Sequence, residues 1–340
     1  MDPITQGALG AASAQAFSIP RKGPAALAGS LGFLAGLAAD ADVFITSAED
    51  PLLFLEYHRQ FTHSLIFIPA GGLVTAMLLY LLIGRRLQLT FFRAFLYCTL
   101  GYGTHGLLDF ATSYGTMLFW PFSHERYSAS IISIVDPLFT LPVIALVVLA
   151  GIRRSPLYAR LALVWVCLYL TFGLVQRNAA LQMAEDIAAS RGHVIERLAV
   201  KPTIGNILVW RSVYEAKGWF YINGIRVGIA PIIFPGPSVP RLNPAREFPW
   251  LNSASQQHRD LARFMRFSKG YSARNPEDLN TVIDVRYSFL PNTLGALWSI
   301  ALAPGAGPDR HVRFQTNRRD AQTQLVALWQ LITTERSDGD

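Results

Sequence analysis

Long apolar runs in the first 176 residues are the feature that most constrains the fold of this 340-residue chain. A helix needs roughly 20 apolar residues to cross the hydrocarbon core of a bilayer. Six segments approach this length, or are shorter but rich in apolar or small residues. They lie at 3–18, 24–42, 64–83, 91–110, 137–151 and 157–176. Only 16% of all residues are charged and the mean hydropathy is +0.28, which indicates a surface partly in contact with lipid. We predict a mainly α-helical membrane bundle of about six helices over residues 1–176.

The first two segments are rich in alanine and glycine. Gly29, Gly32 and Gly36 are spaced by three and four residues, so a helix places them on one face. Small residues allow membrane helices to approach closely. These two helices are therefore predicted to lie inside the bundle.

Residues 177–340 have the composition of an ordinary globular domain and are predicted to form an extramembrane α+β domain. Strands are expected within 193–228, with a hairpin turn at 216–218, and at 281–289, 296–302 and 310–316. Amphipathic helices are expected at 254–268 and 318–334. The prolines of FPGPSVPRLNP, residues 234–244, predict a loop or lid without regular structure.

Two groups of charged residues in the second domain have a structural interpretation. Asp284 and Arg286 alternate with apolar residues on a predicted strand, so they share a face and can pair. Arg259, Arg263 and Arg266 line one face of a predicted helix, which is typical of a solvated stripe, with a lipid-headgroup surface as the alternative.

The basic residues of the short connections predict the orientation, since cytoplasmic loops carry an excess of Lys and Arg. Three connections carry basic pairs and are expected inside: Arg21 and Lys22, Arg85 and Arg86, Arg153 and Arg154. The alternate connections, 43–63 and 111–136, contain only Arg59 and Arg126 and are expected outside. The same alternation places the domain after residue 177 on the outer side.

Charge and cysteine content narrow the possible partners. Beyond residue 176 there are twenty Lys and Arg against fourteen Asp and Glu. We expect this basic excess to meet the anionic lipids of the bilayer, and no nucleic-acid partner, because no zinc-finger, RNA-binding or helix-turn-helix signature is present. Cys98 and Cys167 both lie in apolar segments and are expected to be packing residues.

Residues able to bind metal recur at helix ends on the predicted outer side. Asp40 and Asp42 end helix two, and His58 and His63 precede helix three. In helix four a spacing of four places His105 and Asp109 on one face. The same side carries three further polar residues: Asp2, Gln6 and Asp136. Any one of these alone is typical of a helix cap or a hydrogen-bonded side chain, but ionisable groups at membrane helices tend to be functional.

Imidazole and carboxylate ligands together indicate a divalent transition metal, with zinc first and manganese or iron as alternatives. One ion, or two ions about 3.5–4 Å apart, would bind a phosphoryl group and activate water for hydrolysis. No phosphate loop, GxSxG turn or dinucleotide fingerprint competes with this interpretation. The alternatives are a non-enzymatic membrane scaffold or stress-response protein with a structural polar cluster, and, less favoured, a transporter.

Five motifs in a fixed order carry a resemblance to a known family. They are MDPITQGALG at 1–10, GLAADADV at 36–43, HRQFTHS at 58–64, HGLLDFATSYGT at 105–116 and WPFS at 120–123. The sequence resembles the YdjM-like family of bacterial inner-membrane proteins, described as candidate metal-dependent hydrolases. The family often carries His at the position of Gln6, which puts a ligand role for this residue in doubt. The HxxxD pair of His105 and Asp109 is also similar to the zinc-binding pairs of zinc-dependent phospholipase C and P1-type nucleases.

These resemblances imply an inner-membrane, multi-pass protein that hydrolyses a phosphoester, such as a phospholipid. The expected metal ligands are Asp40, Asp42, His58, His63, His105 and Asp109. Asp40 and His58 are alternatively expected to act in catalysis, one carboxylate serving as base. Arg126 is expected to act in catalysis by binding phosphate. Other loop residues considered for phosphate or metal are Thr112, Ser113, Tyr114 and His124, although Gly115 also fits a simple turn.

Overall fold

A computed structural model describes residues 1–18, 25–317 and 321–334 of the chain. It divides into two compact units. The first contains Met1–Phe44, Tyr57–Leu174 and Ile204–Asn206, and the second contains Ile45–Glu56, Val175–Thr203 and Ile207–Asp340. Arg21, Lys22 and the first residues of the predicted helix 318–334 lie outside the described residues.

The described residues form ten α-helices and not the about six that were predicted. They are α1 (Pro3–Ala16), α2 (Ala25–Ala38), α3 (Leu53–Tyr57), α4 (Ile68–Leu79), α5 (Phe91–Ala111), α6 (Pro137–Ile152), α7 (Pro156–Ser190), α8 (Pro244–Glu247), α9 (Gln256–Phe267) and α10 (Ala321–Thr333). The helices α3 and α8 are too short to show an apolar period, which is why the sequence did not reveal them. The helices α9 and α10 correspond to the two amphipathic helices predicted for the second domain.

Three helices of the described chain are long and apolar enough to cross a membrane: Ala25–Phe44, Leu65–Gly84 and Pro156–Ser190. The first is α2 continued by a 3-10 helix, Ala39–Phe44. The second is α4 extended by a 3-10 turn before it and a π-helical turn after it. The helix α6 is apolar but shorter. The predicted spans α1 and α5 do not reach this criterion, since α1 has only 14 residues and the polar residues of α5, among them Arg93, His105 and Asp109, lower its mean hydropathy.

Glycines bring α1, α2 and α5 into close contact. A Cβ atom on Gly32 of α2 would lie 2.3 Å from the Gly10 carbonyl oxygen of α1, and one on Gly101 of α5 would lie 2.3 Å from the Gly32 carbonyl oxygen. The predicted inner position of the glycine-rich helices is therefore confirmed.

The second unit contains two four-stranded antiparallel sheets. The first has the order β1 (Arg197–Pro202), β2 (Val209–Ala216), β3 (Trp219–Arg226) and β4 (Ile232–Pro240), and the second the order β5 (Ser272–Arg274), β6 (Thr281–Asp284), β7 (Trp298–Ala301) and β8 (Arg313–Thr316). The predicted hairpin is confirmed: β2 pairs with β3 across Lys217 and Gly218, which have φ of 52° and 75°. Apolar side chains of α9, including Leu261 and Phe264, pack in one core with Val282 of β6 and Ile300 of β7.

The loop or lid predicted from FPGPSVPRLNP is wrong, because residues 234–240 belong to β4. This strand pairs with β3 at the edge of the first sheet, with a register shift between Tyr221 and Asn223. An edge strand tolerates proline because only one of its sides must donate hydrogen bonds.

The charged residues of the second unit correct one interpretation and confirm another. Arg286 Nη2 lies 2.6 Å from Asp284 Oδ2, as the predicted pair requires. Arg263 is not part of a solvated stripe, because it binds the carboxylates of Asp50, Glu56 and Asp260.

Candidate metal centre

Four donor side chains of the first unit converge on one point. Asp40 lies in the 3-10 helix after α2, His63 in a 3-10 turn before α4, and His105 and Asp109 in the last turns of α5. One ligand atom from each of these residues lies within 4.8 Å of the others. The folded chain thus brings together His and Asp residues of three separate segments in a group that could hold a metal ion.

Four of the six separations among these atoms are close to those around a tetrahedral ion. His105 Nε2 lies 3.2 Å from Asp40 Oδ1 and 3.8 Å from Asp109 Oδ2. His63 Nε2 lies 3.4 Å from Asp40 Oδ1 and 3.3 Å from Asp109 Oδ2. Zinc bonds of about 2.0–2.1 Å in a tetrahedron place neighbouring ligand atoms about 3.4 Å apart. Two imidazoles and two carboxylates are also a donor set that zinc accepts.

Neighbouring groups hold each imidazole with its Nε2 atom toward the centre. His105 Nδ1 donates to the Gly36 carbonyl oxygen at 2.5 Å. His63 Nδ1 lies 2.9 Å from the Thr62 hydroxyl and 3.2 Å from Asp42 Oδ2. Such partners fix the tautomer of a metal-binding histidine and its ring orientation.

Asp42 binds the segment that carries two histidines. Its carboxylate accepts from His58 Nδ1 at 2.8 Å, from the Arg59 backbone N–H at 2.9 Å and from the Thr62 hydroxyl at 2.7 Å. Asp42 and His58 also form a second three-residue group with Asp40, but they are not members of the four-residue group. The six residues predicted as ligands thus form two overlapping groups that share Asp40.

The centre is buried except at one edge. His63, His105 and Asp109 side chains are fully buried, whereas Asp40 is 26% exposed and His58 is 28% exposed. Water therefore reaches the centre on the side of Asp40 and His58.

Two of the four donor atoms lack a hydrogen bond. Among the described residues, His63 Nε2 and Asp109 Oδ2 have no partner of acceptable hydrogen-bond geometry. Buried polar atoms are nearly always hydrogen-bonded, and an exception calls for an explanation such as an ion. The residues present therefore fit a metal ion.

The carboxylates around His63 change its protonation. Burial opposes a charged imidazole, but Asp109, Asp40 and Asp42 together raise the pKa of His63 to about 10. A metal ion at Nε2 would satisfy the same negative potential in place of a proton.

Arg59 is a residue of the centre that the sequence analysis did not identify. Its Nε atom lies 3.0 Å from Asp109 Oδ2, and its Nη1 donates to the Thr112 hydroxyl at 3.2 Å. Its backbone has a φ of 63°, in the left-handed region that non-glycine residues rarely adopt, and residue order does not reveal this conformation. The available signal was its position inside the polar motif HRQFTHS.

Gln6 and the amino group of Met1 also contact Asp109. Gln6 Nε2 donates to Asp109 Oδ1 at 2.9 Å, and the Met1 amino group pairs with the same oxygen. The amide of Gln6 therefore presents a hydrogen-bond donor toward Asp109, consistent with the doubt about its role as a ligand.

The remaining predicted residues surround the centre or lie apart from it. Arg126 Nη2 donates to the His58 carbonyl oxygen at 2.9 Å. Asp2 and Asp136 are N-caps of α1 and α6. His124 is exposed and belongs to none of the metal-binding groups found in the described chain. Thr112 and Ser113 are buried, and the ring of Tyr114 lies 5.1 Å from the Arg59 guanidinium carbon.

A separate group in the second unit contains Asp50, Asp260 and His311. Both oxygens of Asp260 are already bonded, one by Arg263 and one by His311 at 2.8 Å. This group is a network of ion pairs.

Comparisons with known proteins agree with the motifs of the sequence. The family model of the YdjM inner membrane protein matches residues 1–180. An uncharacterized protein of Bacillus subtilis strain 168, YfhP, is 25% identical over 242 residues, which cover 70% of this chain and 69% of the relative. No solved structure matches.

Proposed function

The chain belongs to the YdjM inner membrane protein family, and from that premise we propose that it is a metal-dependent hydrolase. Its metal ligands are Asp40, His63, His105 and Asp109. The observation that carries the proposal is the set of four donor atoms at tetrahedral separations, two of which make no hydrogen bond. Zinc is our first assignment, with manganese or iron as alternatives. A bound divalent ion would polarise a substrate oxygen and activate water as a nucleophile.

His58 and Asp42 supply the proton transfer. Asp42 holds His58 through Nδ1, which leaves Nε2 of this partly exposed ring to exchange a proton. A carboxylate that orients an imidazole in this way is a common arrangement for general acid–base catalysis. Asp40, also partly exposed, is the second group of the centre that can accept a proton from water.

A phosphoester, such as a phospholipid, is the proposed substrate class. Arg126 places a guanidinium beside the His58 backbone, where its charge favours an anionic group entering at the exposed edge. The family's membrane location brings lipid substrates within reach of the centre.

Metal analysis of the purified full chain in detergent tests the ligand set. We expect about one ion per chain, and a loss of about 90% of it in His105→Ala and Asp109→Ala, because each variant removes one of the four ligands and leaves the others arranged for an incomplete set. His124→Ala is the matched control, since it removes an exposed histidine of the same unit and should retain the metal. A wild type without transition metal, or a His105→Ala variant as metal-rich as the control, would contradict the proposal.

One observation favours the alternative, a non-enzymatic scaffold. Arg59 already gives Asp109 a cationic partner, as in a structural polar network. Turnover separates the two functions: phospholipids, phosphatidate and simple phosphoesters are incubated with wild type and with His58→Ala in zinc or manganese. Hydrolysis by wild type that falls at least about a hundredfold in His58→Ala supports the enzyme. A scaffold would hydrolyse none of these esters, and the variant would differ from wild type only in stability.

A further inference from the structure

Between the motifs GLAADADV and HRQFTHS, the chain passes from the first unit into the second and back. Ile45–Glu56, which we name the anchor segment, belongs to the second unit, although Phe44 and Tyr57 on either side belong to the first. Asp42 lies three residues before this segment and His58 two residues after it. The second unit thus contains the connection between two residues that pair at 2.8 Å in the centre.

Ion pairs hold the anchor segment. Arg263 of α9 binds Asp50 in a bidentate pair, with Nη1 2.9 Å from Oδ1 and Nη2 2.8 Å from Oδ2. Arg263 Nε donates to Glu56 Oε1 at 2.7 Å. Asp260 adds a third carboxylate at 3.1 Å. One guanidinium therefore joins Asp50 and Glu56 of the segment to the same helix, and its side chain is only 18% exposed.

Apolar contacts hold the residues between Asp50 and Glu56. Leu52 and Leu55 are buried in the core formed by Phe264 and Val282, among others. The ring of Phe54 lies 5.3 Å from the ring of Phe314 on β8, in an edge-to-face arrangement. The segment is therefore an integral part of the second unit.

We infer that the second unit positions the metal centre by holding the anchor segment, with Arg263 as the positioning residue. Release of the segment would free the backbone that connects Asp42 to His58. Formation of the Asp42–His58 pair would then cost the conformational entropy of closing an unrestrained loop. The family model matches residues 1–180, so α9 and Arg263 lie outside the matched region. The inference deepens the proposed function and rests on it for the consequence at the metal.

The test compares Arg263→Met with Arg259→Met in the full chain. Arg259 lies on the same helix but is exposed, and its guanidinium donates to the Gln256 side chain and the Ala254 carbonyl oxygen. The first readout is hydrogen exchange by mass spectrometry of peptides covering 57–63, where the Arg59 N–H donates to Asp42. We expect Arg263→Met to speed exchange there at least about tenfold, with peptides of β2 and β3 unchanged, and Arg259→Met to leave 57–63 as in wild type.

The second readout is zinc affinity, measured by competition with a chelator. We expect about tenfold weaker binding in Arg263→Met, the loss typical of removing a group that orients metal ligands. Arg263→Lys should recover part of both effects, since one ammonium can replace one of the two ion pairs. If Arg263→Met does not fold, Asp50→Asn with Glu56→Gln removes the same ion pairs from the other side.

The outcomes separate the two proposals. Unchanged exchange at 57–63 in a folded Arg263→Met overturns the positioning role, and so does an acceleration spread evenly over the second unit. Faster exchange confined to 57–63 in a chain that binds no zinc supports positioning and overturns the metal-dependent function.

Discussion

Lys201 carries a buried amine far from the centre in sequence. It lies on β1, only 8% exposed, with its Nζ atom 4.6 Å from the ring centroid of Tyr287. Burial lowers the pKa of Lys201 well below its ordinary value, and the nearby Arg286 adds to the shift, while Asp284 opposes it. The folded second unit therefore disfavours the protonated amine.

We predict that Lys201→Met stabilises the chain at neutral pH. An unfolded lysine titrates near 10.4, about the value of a model peptide, so between that pH and the lower folded pKa the unfolded state binds more protons. Wild-type stability consequently rises with pH through this window, and the methionine variant lacks that rise. Thermal unfolding should show a higher Tm for the variant near pH 7 and a smaller difference near pH 10.

Lys217→Met is the control for this prediction, because Lys217 is exposed in the hairpin turn. It should leave Tm within about 1 °C of wild type at both pH values, as surface substitutions usually do. A constant difference between Lys201→Met and wild type across the pH range would contradict the assigned protonation.

The residues of the centre show what a sequence can and cannot specify. The spacing of four between His105 and Asp109 fixes their common face, and this part of the site was predictable. Asp40 and Asp42 are two residues apart on a 3-10 helix. Only the folded chain shows that Asp40 is one of the four donors, whereas Asp42 binds His58. Arg59 was missed because its direction depends on tertiary structure.

Among the elements, the crossing of α1, α2 and α5 determines the position of three candidate ligands. The helix α2 leads into the turn with Asp40, and α5 carries His105 and Asp109. A Cβ atom on Gly32 would approach the Gly10 carbonyl oxygen to 2.3 Å and the Ala14 Cβ atom to 2.5 Å. Backbone atoms cannot rotate away as a flexible side chain can, so the helices themselves would have to separate.

We predict that Gly32→Ala destabilises the first unit by about 1–3 kcal/mol through overpacking and lowers metal content as α5 moves. The measurements are thermal unfolding in detergent and metal analysis of the same sample. Ser30→Ala serves as control, because Ser30 is exposed on the same helix. Equal unfolding temperatures for the two variants would show that the crossing has room for a methyl group.

The predicted and observed elements differ where local preference competes with tertiary context. The β2–β3 hairpin was predictable because its turn conformation is local. The strand β4 was not, because proline is excluded from inner strands and only the sheet order shows that this strand lies at an edge. The helix α5 has the length of a membrane span but contains Arg93, His105 and Asp109, and it packs against α1, α2 and α4.

For the whole molecule, the charge of the short connections predicts which side of the membrane each unit faces. The connection with Arg85 and Arg86 is expected inside, and the residues after about 177 are expected outside. Leu87 and Ile229 are exposed residues that represent the two sides. Cys98 is buried, so replacing the exposed Cys167 with serine gives a chain of low thiol reactivity.

We predict that a membrane-impermeant maleimide labels Ile229→Cys in intact spheroplasts and leaves Leu87→Cys unlabelled until the membrane is permeabilised. The physical reason is that arginines beside Leu87 resist translocation across the membrane. Each variant is the control for the other, since both carry one exposed thiol in the same background. Labelling of Leu87→Cys alone in intact spheroplasts would reverse the predicted orientation, and the proposed hydrolase would then have to take its substrate from the cytoplasmic side.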